Sequence, residues 1–121
     1  MKQYQINKAY NAMTRLMTVQ FPVRIAYSIY MLMKQIEPCY EFDLKREREL
    51  VEKYHGSISM DGMITFPSPD DAGLFKDEID ELTNMDVDVR ISPISIPYDS
   101  LEDQTITPME IASLEGFVSF E

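Results

Sequence analysis

An α+β fold is predicted by three features of this 121-residue sequence. The stretch before Gly56 has no glycine and carries apolar residues at helical spacing. The stretch after it alternates, turns at Asp61-Gly62 and offers two capped helical segments. Charge divides at the same place: residues 1 to 55 hold nine Lys and Arg against six acids, net +3, whereas residues 56 to 121 hold two against fifteen, net −13. A content of 45% hydrophobic residues over this length suits one domain, 1–121, that buries a core. The expected arrangement is an N-terminal helical hairpin or kinked long helix, packed with a small, mainly antiparallel sheet and two further short helices.

Each element has a local reason. "INKAYNAMTRLM" places Ala9, Met13, Leu16 and Met17 at helical spacing, and Phe21 and Pro22 restart the chain, with Pro22 suited to the first turn of a second helix. "PVRIAYSIYMLMKQIE" is apolar almost all round, with Arg24, Ser28 and Gln35 as a thin polar stripe. A helix this apolar is central to a fold or shared between subunits. Homodimer formation is expected through Ile25, Ile29, Leu32, Met33 and Ile36. Pro38 disfavours helical geometry at Glu37 and removes a hydrogen bond, so the helix kinks or ends there before "CYEFDLKRERELVEKYHG" resumes and stops at Gly56. Glu41 with Lys45 and Glu49 with Lys53 form i, i+4 pairs along a solvated face.

Beyond Gly56, "SISMDGMITF" predicts a hairpin centred on Asp61-Gly62, because both residues tolerate positive φ. In "SPDDAGLFKDEIDEL", Ser68 is the N-cap, Pro69 the first helical residue, and Asp70 and Asp71 face the helix dipole. "DVDVRISPISI" is extended, with Pro93 at an edge or an end. "TPMEIASLEG" opens a last helix with a Thr107–Glu110 capping box and runs to about Gly116. "PYDSLEDQT" is the loop candidate.

Composition excludes several functions. One cysteine, Cys39, forms no internal disulfide, and with the single His55 it cannot supply a four-ligand N/S zinc site. This points to a reducing, cytoplasmic setting. The start "MKQYQINKAYNAM" lacks a signal-peptide pattern, and no stretch approaches the uninterrupted apolar run of about 20 residues that spans a bilayer. Four glycines, at 56, 62, 73 and 116, build neither a phosphate loop nor a dinucleotide fingerprint. Cys39 reads as a small core residue and His55 as a helix C-terminal residue. Asp86 and Asp88, two apart on a strand, share a face and invite a Mg²⁺ site, but a third carboxylate and a neighbouring lysine are wanting. A half-exposed strand explains the same alternation. The chain is therefore expected to be no enzyme and to hold no cofactor or metal. Lys45 to Lys53 carries four cations in nine positions, interleaved with acids, and the acidic net charge opposes direct nucleic-acid binding.

The most distinctive stretch is "PDDAGLFKDEIDELTNMDVDV", with eight carboxylates and one cation, Lys76. Phe75, Ile79 and Leu82 make its inward stripe, while Asp77, Asp80, Glu81 and, more laterally, Glu78 point away. A face serving only solubility usually mixes signs. Asp77, Glu78, Asp80 and Glu81, extended by Asp86 and Asp88, are thus the candidate docking surface for a basic partner protein.

"LMTVQFPVRIAYSIYMLMKQIEP", "KRERELVEKYHG", "DVDVRISPISI" and "ITPMEIASL" together resemble a family of short proteins encoded in phages and prophages of Gram-positive bacteria. Phe21 and Arg24 stand where that pattern has Leu and Lys. The likeness spans nearly the whole chain, rests on structural motifs and brings no active site. It implies a viral protein acting in the host cytoplasm. Small acidic phage proteins of this kind resemble inhibitors of host machinery, including anti-defence proteins of the anti-CRISPR type that occupy basic, nucleic-acid-handling surfaces. The alternative is a non-enzymatic morphogenesis or tail-assembly accessory protein acting as a homo-oligomer.

Overall fold

The computed structural model describes residues 1–101 and 104–121, and its architecture is α+β. In chain order the elements are α1 (Gln3–Leu16), α2 (Val23–Lys53), β1 (Ser57–Ile58), β2 (Ile64–Thr65), α3 (Pro69–Thr83), β3 (Ile94–Ile96), a 3-10 turn (Tyr98–Leu101), α4 (Pro108–Ser113) and β4 (Val118–Phe120).

The spine is α2. Its 31 residues span about 46 Å at 1.5 Å per residue, about twice the reach of the 14-residue α1. Ile6, Ala9, Ala12, Met13 and Leu16 form the buried stripe of α1, and they meet Ile29, Leu32, Met33 and Ile36 of α2. Ile96, Leu114, Phe117 and Val118 close this core from the other side. Tyr10 stacks on Tyr40 with ring centroids 3.8 Å apart. Beyond that pairing α2 outruns α1, and α3 packs along its second half, where Leu50, Val51 and Leu82 are buried.

The chain does not end its helix at Pro38. Pro38 lies on the exposed side of α2, so the Lys34 carbonyl that loses its donor faces water. Burial on the opposite side offsets the cost of about 3 kcal/mol for an interior proline. The end of α2 also differs in detail. His55, at φ 60°, takes the left-handed position. Its N–H donates to the Glu52 carbonyl at 3.1 Å and that of Gly56 to the Val51 carbonyl at 2.8 Å, the paired bonds of a Schellman motif. Gly56 is required for space, because a Cβ there would lie 2.7 Å from a Phe66 ring carbon.

The hairpin forms where expected, with Ser57 opposite Thr65 and Ile58 opposite Ile64. Its turn is one residue longer than a two-residue type I′ loop. Gly62 alone has positive φ, 87°, and its N–H donates to the Ser59 carbonyl at 3.0 Å. That is a three-residue loop with glycine in the left-handed position. Ser68 caps α3 by accepting from the Asp71 N–H at 3.2 Å, with Pro69 as the first helical residue. Thr107 and Glu110 form the capping box of α4. This helix stops at Ser113, and Gly116 follows at φ 86°.

The sheet is divided rather than mainly antiparallel. β1–β2 is antiparallel, whereas β3–β4 is parallel, with Ile94 opposite Val118 and Ile96 opposite Phe120. A parallel pair needs a long crossover, here supplied by the segment containing α4. Part of the expected loop 97–105 is the 3-10 turn, and its Glu102 and Asp103 lie outside the described residues. Between α3 and β3, Val87, Val89 and Ile91 turn inward and Asp86, Asp88, Arg90 and Ser92 outward, the alternation of a half-exposed strand. Gln35 Oε1 accepts from the Ser92 N–H at 2.8 Å and ties this segment to α2. Among the described residues no helix is long and apolar enough to cross a membrane.

Candidate functional site

The amphipathic period of α3 turns Leu82 inward, half-buries Phe75 and Ile79, and leaves Asp77, Asp80 and Glu81 exposed. Asp88 is exposed as well. Among the described residues none of these four carboxylates is ion-paired.

The other two carboxylates of the expected docking set differ. Glu78 is half-buried, and its Oε1 accepts from the Lys53 ammonium at 2.9 Å. That hydrogen bond holds the Glu78 carboxyl below its ordinary value, against the opposing effect of burial, and raises Lys53. Glu78 Oε2 is sealed from solvent, and the Tyr54 side chain adds to Lys53 in favouring the ionised carboxyl. Asp86 pairs with Lys2 at 3.1 Å, beside the bridge in which the Gln3 N–H donates to the Met85 carbonyl at 2.9 Å and the Val87 N–H to the Met1 carbonyl at 2.7 Å. Glu78 is therefore partly committed to holding α3 on α2, whereas Asp86 stays largely exposed beside Lys2.

The expected pairs on α2 are replaced. Arg46 bonds Glu49 at 3.1 Å, one turn away, and Lys53 turns from Glu49 to Glu78. Lys53 thereby clips the end of α2 to α3, and Glu81 and Asp77 keep their charge uncompensated.

Alongside this face lies a groove of about 480 Å³ between α2 and α3, lined by Phe42, Arg46, Leu50, Glu78, Glu81, Leu82 and Met85. Phe42 is 51% exposed and Met85 39%. Sequence reasoning missed the groove because its walls come from two elements. The one available signal was Phe42, an aromatic amid charged neighbours on the outer part of a helix.

The expected self-association set is corrected. Ile29, Leu32, Met33 and Ile36 are buried in the chain's own core, and Ile25 is half-buried against it. α1, β3 and the 114–118 segment cover them, so a partner copy has no access. The exposed apolar residues of α2's first half are instead Val23 (86%), Tyr27 (62%), Tyr30 and Met31.

A second polar cluster sits in the α1–α2 seam. Gln3 Nε2 donates to Asn7 Oδ1 and to the Cys39 carbonyl, both at 3.0 Å. Gln3 Oε1 and Asp43 Oδ1 are buried without partners. Burial pushes the Asp43 carboxyl up, with Asn7 opposing, and burial followed by the neighbouring Asp43 pushes up Glu47. Burial likewise raises the Cys39 thiol, as befits a small packing residue. Among the described residues no three His, Cys, Asp or Glu side chains gather in a cluster suited to a metal ion.

The architecture thus belongs to the class of small α+β domains with an acidic, groove-bearing helix face. No family model matches the chain, and no curated protein or solved structure is similar to it.

Proposed function

We propose that the chain is a small acidic phage-type protein that binds and inhibits a basic host protein, such as a nucleic-acid-handling defence effector of the kind anti-CRISPR proteins target. It acts by binding, without catalysis, cofactor or metal, in the host cytoplasm. The observation that carries this reading is the row of exposed, unpaired carboxylates Asp77, Asp80 and Glu81 on α3, continued at Asp88. Compensating cations would serve solubility equally well, and here α3 carries a single lysine, Lys76, among its acids, while Lys53 is committed to Glu78.

Exposed charges are screened within about 8 Å at physiological salt, so association with a captured partner is expected to slow steeply as ionic strength rises. Replacing Asp77, Asp80 and Glu81 by lysine, and sparing Glu78 because it holds α3 to α2, is expected to abolish binding while the fold persists. Stopped-flow association of the folded triple variant tests this. Unchanged association would mean that the carboxylates serve only solubility.

A second reading, an oligomeric morphogenesis or tail-assembly accessory protein, is favoured by the exposed stripe of Val23, Tyr27, Tyr30 and Met31. Light scattering separates the two: a salt-insensitive oligomer that Tyr27→Glu dissociates supports the assembly role, and a monomer at micromolar concentration removes it.

A further inference from the structure

The groove between α2 and α3 has a chemistry that the outward acidic face lacks. Its floor is apolar, from Leu50, Leu82, Phe42 and Met85, and one rim is anionic, from Glu78 and Glu81. The two acids are three residues apart on α3 and so lie on the same side of the helix. Arg46, the one cation lining the groove, is drawn to Glu49 on its own helix. Glu78 gives Oε1 to Lys53, has Tyr54 as a further stabilising neighbour, and keeps Oε2 sealed from solvent. Glu81 is exposed and, among the described residues, unpaired, so its carboxylate can accept from an incoming N–H group.

We propose that this groove receives one face of a helix from a basic partner protein, with an apolar side chain on the Phe42–Met85 floor and an arginine one turn away against Glu78 and Glu81. The inference rests on the reading of α3 as a docking face, and it specifies what docks. A helix is the fitting shape because a groove between two packed helices accepts the side-chain ridge of a third. Arginine fits better than lysine, since its planar fork can donate to both oxygens of the exposed Glu81 carboxylate while its stem lies on the apolar floor. The carboxylates exclude a phosphate or nucleic acid as occupant, and the apolar floor distinguishes the site from a surface that merely attracts any cation.

The test titrates the full chain with a synthetic alanine-based helical peptide carrying leucine and arginine at i and i+4. It follows the Met85 ε-methyl signal by NMR and the affinity by calorimetry. Controls replace the peptide's arginine by glutamine or its leucine by alanine. The expected result is a displaced Met85 signal with the Leu/Arg peptide and about tenfold or greater weakening by either peptide control, by Phe42→Ala and by Glu78→Gln. Where Glu78→Gln disturbs the fold, Glu81→Gln on its exposed side chain supplies the same measurement. An unmoved Met85 signal would overturn the groove inference. So would affinity that ignores Phe42→Ala and Glu78→Gln but falls in the Asp77→Lys, Asp80→Lys variant, an outcome that leaves the acidic-face reading standing. Affinity indifferent to all of these variants overturns both.

Discussion

One face of the first half of α2 is covered by α1, β3 and the Leu114–Val118 segment, and the cluster there holds thirteen buried apolar residues. Its second half has α3 and the hairpin for company, and among the described residues the buried apolar side chains there are Leu50, Val51 and Leu82. One helix therefore serves two environments. The enclosed end supplies the stability, since apolar burial scales with area removed from water. The open end carries the acidic face and the groove, which a thickly packed region could not expose. A small domain can thus separate what holds it together from what it presents.

The largest expected contrast between the halves comes from cavity-forming substitutions. Leu32→Ala is expected to lower the unfolding free energy by about 3 to 5 kcal/mol and Leu82→Ala by about 2 kcal/mol, measured by urea denaturation. Equal costs would erase the distinction.

Gly56→Ala is next, at about 1 to 3 kcal/mol of destabilisation. The added methyl meets the Phe66 ring, which in turn packs on Phe75 of α3 at a centroid separation of 4.8 Å. The loss is expected in the open half alone, read by amide exchange in α3 with α1 unaffected.

A smaller effect separates the two buried carboxyl oxygens by sign. Burial raises Asp43 in the folded chain, so this site favours folding most below its unfolded value of about 3.9. That contribution fades as pH rises through the raised folded value. Asp43→Asn is therefore expected to stabilise the protein at neutral pH by about 1 kcal/mol, with the gain vanishing in acid. Denaturation at neutral and acidic pH checks this. Glu78 behaves oppositely: the Lys53 hydrogen bond lowers it, so its contribution is present above the unfolded value of about 4.3 and is lost as pH falls through the lowered folded value. Lys53→Gln is expected to lower the neutral-pH midpoint slightly and leave the acid-side midpoint unchanged, so that the fall in stability with acidification shrinks, the smallest effect of the series.

Features whose causes are local could be read from the residues. Ser68 and Thr107 cap their helices through neighbours three positions on, and Asp61-Gly62 folds the hairpin around itself. Pro38 was harder, because its tolerance depends on which side of α2 meets water, a tertiary property. The parallel pairing of Ile94 with Val118 joins residues separated by a crossover, and three-residue strands carry almost no periodic signal; Phe117, Val118 and Phe120 after Gly116 were the only hint. The acidic face was legible as charge on one side of α3. Which of its acids are already spoken for was not, since Lys53 and Lys2 reach Glu78 and Asp86 through space.

The bridge that joins Met1 and Gln3 to Met85 and Val87 sets the order in which the molecule can assemble. As the chain leaves the ribosome, α1 and the first half of α2 can pair early, because a short turn brings them together. The first turn of α1 must wait for its backbone acceptor until residue 85 has been made, and closing so long a loop is slow. The helical hairpin is then the earlier structure, and α3 joins it later. During synthesis α3 can therefore settle only after residue 87 has emerged, and the segment from β3 to β4 that closes the core follows it.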